Sequence, residues 1–313
     1  MRLAVPIVLE GKVYGAANGK SMCARDGDTG VSSAIVVVMD DSPAQTTTTP
    51  SLLQVAEPLP YELYNEDAGG RLLLVCDHAS NRVPQRLEQL GLSDAELARH
   101  IGWDIGAADV TRQLSDRLGA PAVLANYSRL AIDCNRSLDH PGLILDESDR
   151  TPVPGNMGLD AAQRQVRIDT LFRPYHAAVD EQVDRMRELN GGEATPVVVS
   201  IHSFTPVFDG FERPWHIGVL WNDDPRLPVP LIARLRADKD LVVGDNEPYS
   251  AREGFGHTLE RHGDEGGLAN ALIEIRQDLI DTHHGVAAWA ERLAVVLQET
   301  LMDEALYRSN LLG

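Results

Sequence analysis

Two histidines in this chain close apolar runs. Leu72-Leu-Leu-Val-Cys76 leads into Asp77, His78 and Asn81, and Val197-Val-Val-Ser-Ile-His-Ser203 carries His202 at its far end. A single loop histidine is usually no more than hydrogen-bonded. Two at strand ends point to a metal or acid–base site, because imidazole titrates near neutrality and is a frequent metal ligand. Ala131-Ile-Asp-Cys-Asn-Arg136 sends Asp133, Asn135 and Arg136 out of an apolar stretch, with Arg129 just before it. An arginine fork there can grip a substrate carboxylate in bidentate fashion; the alternative is an ion pair of Asp133 with Arg129 or Arg136. Ala271-Leu-Ile-Glu-Ile-Arg-Gln-Asp278 sets Glu274 and Arg276 two apart, hence on one side of a strand. Charges inside an apolar strand need a partner or a function. They either pair with neighbouring strands, or Glu274 serves as a general base.

Weaker signals are His257 and His262, and Asn246-Glu-Pro-Tyr249, either of which can line a cleft. The two histidines are five apart and would face apart on one α-helix, which argues against both being ligands. His100, His140, His176, His216, His283 and His284 read as surface or packing residues. The chain has no G-x-S-x-G, Walker A, G-x-G-x-x-G or H-E-x-x-H motif, which removes support for nucleotide cofactors and the usual serine-hydrolase route.

The elements that must position these residues alternate. Beside the two runs already named, Ala122 to Asn126, Ile217 to Trp221, Leu241 to Val243 and Leu272 to Ile275 have strand character. Ser93-Asp-Ala-Glu96 has capping-box spacing. Helical periodicity runs from Asp104 to Leu118, through Ile168, Tyr175, Val183 and Leu189 with a kink expected at Pro174, and from Val286 to Leu301. Strands alternating with helices predict an α/β fold with a mostly parallel, helix-covered sheet, whose ligands sit beyond the carboxyl ends of the strands.

Of 313 residues, 43% are hydrophobic and 24% charged, the balance of a chain that buries a sizeable core. The formal charge of −19 repels phosphate backbones and anionic lipids, and no basic patch offsets it, so neither nucleic acid nor a membrane surface is expected as a partner. Cys23, Cys76 and Cys134 include no C-x-x-C pair, which fits a reducing compartment, the cytoplasm by default. The apolar run Leu3 to Leu9 is broken by Pro6 and is too short to span a bilayer. Residues 1–55 contain Tyr14 as their one aromatic and approach their end through Ser42-Pro-Ala-Gln-Thr-Thr-Thr-Thr-Pro50. They are expected to form an extension and linker, removable with little loss, ahead of a catalytic domain over residues 56–313. Ala34-Ile-Val-Val-Val-Met39 is the one run there of strand length.

Five ordered blocks, Asp77 to Pro84, Ile101-Gly-Trp-Asp-Ile-Gly106, Ser128 to Arg136, Ile201-His-Ser-Phe-Thr-Pro206 and Leu272 to Asp278, resemble the N-formylglutamate amidohydrolase family. The resemblance covers roughly residues 60 to 303 and implies a phosphorylase/hydrolase-like three-layer fold, related to zinc carboxypeptidases and aspartoacylases. It also implies a zinc-dependent hydrolase of N-formyl or N-acyl amino acids. By the same resemblance His78 and His202 look like metal ligands, Asn135 and Arg136 like the substrate-carboxylate pair, and Glu274 like the general base. Arg129 and Arg276 are further candidates for that carboxylate. The wider superfamily has H-x-x-E where this chain has Asn81, and a neutral amide is a poor zinc ligand. The carboxylate is therefore supplied by Asp104, the favoured reading, or Asn81 ligates weakly. A binding protein for an acidic amino-acid derivative on the same scaffold is the rival function.

Overall fold

The computed structural model describes residues 51–192, 194–253 and 256–310, together with the backbone of 8–9 and 12–13. The chain divides into units Met1–Thr48 and Thr49–Gly313. In the first, Val8–Leu9 pairs antiparallel with Lys12–Val13; Ala34 to Met39 lies outside the described residues.

The second unit is built on a seven-stranded sheet of β1 (Tyr61–Tyr64), β2 (Leu72–Cys76), β3 (Ala122–Ala125), β4 (Val197–Phe204), β5 (Ile217–Leu220), β6 (Val243–Asp245) and β7 (Asn270–Arg276), in the order β6-β5-β7-β4-β2-β3-β1. Four of its pairings are parallel; β7 with β5 and β1 with β3 are antiparallel. The sheet is therefore the mostly parallel, mixed one expected of this α/β fold. Continuous apolar runs suit its centre because both faces are covered. Leu72, Leu74 and Cys76 pack with helices Ala107–Leu118, Pro228–Leu235 and His283–Thr300, while Leu73 and Val75 pack on the other face against Arg173–Leu189. Helices on two faces of one sheet give three layers.

Several expected boundaries shift for physical reasons. The helix expected from Asp104 begins at Ala107, because Asp104 instead donates its N–H to the His78 carbonyl at 3.0 Å and Gly106 turns the chain with φ +80°. A Cβ on Gly106 would lie 2.2 Å from the Ile280 carbonyl, so only glycine fits this approach. The strand expected at Leu241 starts at Val243, since Leu241 closes a turn onto the Asp238 carbonyl. At the kink expected near Pro174 there is a π-helical turn over Ile168–Phe172, directly followed by Arg173–Leu189 with Pro174 as its second residue. Leu52, within the stretch expected to be linker, is buried with Tyr127 and Phe172. Among the described residues no helix is long and apolar enough to cross a membrane.

Candidate active site

The carboxyl ends of β2, β4 and β7 meet. His78 leaves β2 two residues after its last position, His202 lies near the end of β4, and Glu274 pairs in register with His202 on the adjoining β7. The hydrogen bond from Asp104 N–H to the His78 carbonyl brings Asp104 to the same place from its loop. Asp133, Asn135 and Arg136 arrive on the loop after β3.

Both imidazoles are used in the same way. His202 sets Nδ1 2.8 Å from Asp104 Oδ2 and Nε2 2.8 Å from Asp77 Oδ2. His78 sets Nδ1 3.3 Å from the same Asp104 oxygen and Nε2 2.7 Å from Asp133 Oδ1. Each ring thus has a carboxylate behind it to fix its orientation, and the two Nδ1 atoms converge on Asp104. One ligand atom from each of His78, Asp104 and His202 falls within 4.8 Å of the others, and all three residues are buried. This group can hold a metal ion.

Electrostatics fit that reading. Burial opposes charge on Asp77, Asp104 and Asp133, yet hydrogen bonds and the neighbouring histidines, with Arg129 the strongest influence on Asp133, hold all three well below the ordinary carboxylate range. Arg129 answers one of the three negative charges, reaching Asp133 at 2.8 Å and Asp104 at 3.4 Å. Arg136 Nε adds a longer contact to Asp133 at 4.0 Å, and the negative charge left over is what a dication balances, or protons on the imidazoles. Without a metal the protons win: burial alone would lower the His202 pKa, but its bonds to Asp104 and Asp77 raise it to about 10. Metal uptake must displace such protons.

Glu274 has the opposite environment. It is 6% exposed, and its Oε2 has no hydrogen-bond partner among the described residues. Burial pushes its pKa up to about 7, against the lowering influence of His202. A carboxyl poised near neutrality next to a potential metal group is suited to accept and return a proton.

These residues share a cavity of about 300 Å³, lined among others by Arg129, Asn135, Arg136 and Tyr249. Asn135 is oriented by its Oδ1, which accepts from Thr258 N–H at 3.0 Å. Two hairpins help to wall the cavity: Glu147–Ser148 with Thr151–Pro152, and Val207–Phe208 with Phe211–Glu212. Their tips carry consecutive positive φ angles, the mark of tight hairpin turns, and Arg150 of one forms an ion pair with Asp209 of the other.

Of the residues expected at the site, His78, Asp104, His202, Glu274, Arg129, Asn135 and Arg136 come together. Arg129 lines the cavity, but its guanidinium is engaged by Asp104 and Asp133, so the ion pair foreseen for Asp133 is present. Arg276 does not line the cavity; it turns to Asp278, with Nε–Oδ1 2.8 Å. Asn81 is likewise absent from the cavity lining. The expectation that His257 and His262 face apart fails, because Glu260–Asp264 is a π-helical turn whose longer period swings His262 round. Both rings lie against the buried His176, at 5.4 and 5.0 Å between centroids. Asp77 stood out only as leaving the strand beside His78, and Asp133 only as an arginine partner. Their hold on the histidines joins residues far apart in sequence, for which no local pattern exists.

Known proteins resemble this chain in sequence and in fold. A deformylase of Pseudomonas putida, named N-formylglutamate deformylase, is 27% identical over 247 residues, covering 74% of this chain and 90% of that protein. Its namesake from Pseudomonas aeruginosa is 24% identical over 220 residues, 66% of this chain and 80% of that one. A gene product of Agrobacterium tumefaciens of known structure is 39% identical, covers 80% of this chain and 98% of its own, and superposes with a TM-score of 0.77. The N-formylglutamate amidohydrolase of Ralstonia eutropha, 22% identical over 78% of this chain and 98% of its own, shares the fold with a TM-score of 0.52. The family model for N-formylglutamate amidohydrolase matches residues 70–281, a span that takes in the whole cluster from Asp77 to Glu274. On that match this chain, an amidohydrolase, belongs to the N-formylglutamate amidohydrolase family.

Proposed function

We propose that the protein hydrolyses N-formylglutamate to glutamate and formate, with one zinc ion held by His78, Asp104 and His202. The observation that carries this reading is the buried Oε2 of Glu274, without a hydrogen-bond partner among the described residues, beside a His–Asp–His group in a cavity that also holds Asn135 and Arg136. The names of the two Pseudomonas relatives supply the substrate. Two imidazoles and a carboxylate are a ligand set that suits zinc with one position left open. When bound there, the metal supplies Lewis-acid activation of water and of the amide carbonyl.

The chain's own groups do the rest. Arg136 and Asn135 bind the substrate carboxylate and so fix where the formyl group lies, which converts a chance encounter into an oriented one. Glu274 takes the proton of the attacking water at Oε2 and delivers it to the leaving amine nitrogen. Arg129 stays with Asp104 and Asp133 and keeps both carboxylates ionised. Catalysis is assigned to residues 56–313, with 1–55 as an extension.

The test is formate release from N-formylglutamate by the purified protein, before and after treatment with a chelator and on re-addition of zinc. Activity lost with the metal and restored by it is the expected result. Absence of formate at every metal loading would overturn the reading. Arg136→Ala is expected to raise KM for N-formylglutamate about 10- to 100-fold, the scale of a lost hydrogen bond to a charged group, with kcat changed less. An equal effect on a formamide lacking the carboxylate would count against this anchor.

A further inference from the structure

Among the described residues Arg213 is a cation buried without an anion. It is 7% exposed, and among the described residues no carboxylate lies within ion-pair distance of its guanidinium. Its hydrogen-bond acceptors are neutral: the Thr205 carbonyl at 3.3 Å from Nη1 and the Tyr249 hydroxyl at 2.9 Å from Nη2. Aromatic faces enclose the remainder, with ring centroids of Phe208 and Tyr249 at 4.9 and 4.7 Å and of Phe204 at 5.7 Å. Cation–π contacts offset part of the desolvation cost of a buried guanidinium, but they leave its charge uncancelled.

That charge stands directly behind the cavity wall. Arg213 does not itself line the cavity, but Phe204, Thr205, Phe208 and Tyr249, all in contact with it, do. The link to the interior is the Tyr249 hydroxyl. A phenol that accepts from a guanidinium has its own proton turned away from that guanidinium, and the bond it receives polarises it as a donor. Arg129, which does line the cavity, already has two protein carboxylates. A positive charge without a counterion among the described residues, coupled to a hydroxyl in the wall, is complementary to a second negative group on the substrate, beyond the one assigned to Arg136.

We propose that Arg213 is a positioning residue that, through the Tyr249 hydroxyl, makes the cavity select N-acyl amino acids with an anionic side chain. The inference rests on the function proposed above. It predicts discrimination between two nearly isosteric substrates, N-formylglutamate and N-formylglutamine, which differ in side-chain charge. A site built around a buried polar group rejects the analogue that leaves this group unanswered far more strongly than one that merely differs in size.

The experiment is steady-state kinetics of the intact, metal-loaded protein on both compounds. The wild type is expected to prefer N-formylglutamate by about tenfold or more in kcat/KM. Arg213→Met should bring the ratio to within about twofold, chiefly through KM for the charged substrate, while Arg213→Lys retains most of the preference. Tyr249→Phe should lower the ratio too, and adding Arg213→Met to it should lower it little further, as for two residues acting in series. A variant that folds poorly scales both substrates alike, so the ratio is protected from that artefact. An unchanged ratio in Arg213→Met, with both values falling together, would show a purely structural arginine and overturn the proposal. So would a wild type that does not distinguish the two compounds but hydrolyses both, a result that leaves the deformylase reading standing. Hydrolysis of neither compound would instead overturn the deformylase reading, and this inference with it.

Discussion

Replacing His202 by alanine is expected to yield protein that purifies with almost no bound metal and no measurable deformylase activity. His202 is not an isolated ligand candidate. Its Nδ1 faces Asp104 while its Nε2 is held by Asp77, which in turn accepts from Tyr175 at 2.7 Å, Thr258 at 2.6 Å and Ser200 at 2.9 Å. Removing the imidazole takes away one of the three proposed ligands and leaves Asp77 without its strongest partner, so metal affinity should fall beyond practical recovery. Asp77→Asn is the graded control: the ligand stays, but its support is weakened, and an affinity loss of about 10- to 100-fold is expected. Elemental analysis after dialysis and a competition titration with a chromophoric chelator read both variants. Stoichiometric zinc with full activity in His202→Ala would remove His202 from the metal assignment.

The second large effect belongs to Glu274→Gln, which should lower kcat by about a hundredfold or more, within the range of general acid–base assistance, while KM and metal content stay near wild type. Glutamine keeps the shape at the end of β7 but cannot carry the proton. Because burial holds this carboxyl near neutrality, the wild-type protein has a group able both to take and to give a proton at working pH, and the variant has none. Single-turnover kinetics with formate detection separate this loss from a binding defect. If turnover persisted at the wild-type rate, the proton would have to travel through another group of the cavity.

Much of this was legible in the chain because the relevant signals are local. The runs at Leu72, Val197 and Leu272 are apolar for a reason that reads directly from sequence, burial on both faces, and a polar residue at the end of such a run is conspicuous. That is how His78, His202 and Glu274 stand out. What escaped depends on geometry with no period. Asp133 meets His78 across 55 residues, and Arg213 meets Tyr249 across 36. Neither spacing follows from any helix or strand. The His257 and His262 pair was misjudged because a period of 3.6 was assumed where the backbone takes a π turn. Arg276 obeys the strand alternation that was read from it, yet the nearby Asp278 captures its guanidinium. β1 went unforeseen because Tyr61–Tyr64 is a short half-buried edge without an apolar run.

The recessed placement of the arginines also governs how a substrate arrives. The chain carries a formal charge of −19, and the exposed Glu147 stands in the wall of the very cavity that holds Arg129 and Arg136. A dianion diffusing inward therefore meets repulsion over most of its path and attraction only within the last few ångströms. Dissolved salt screens the distant repulsion first, because the Debye length of about 10 Å at 0.1 M is short compared with the approach but long compared with the final contacts. The second-order capture rate for a doubly charged acyl amino acid should thus rise with moderate ionic strength, the reverse of an electrostatically steered enzyme, and pre-steady-state mixing across a salt series would register it.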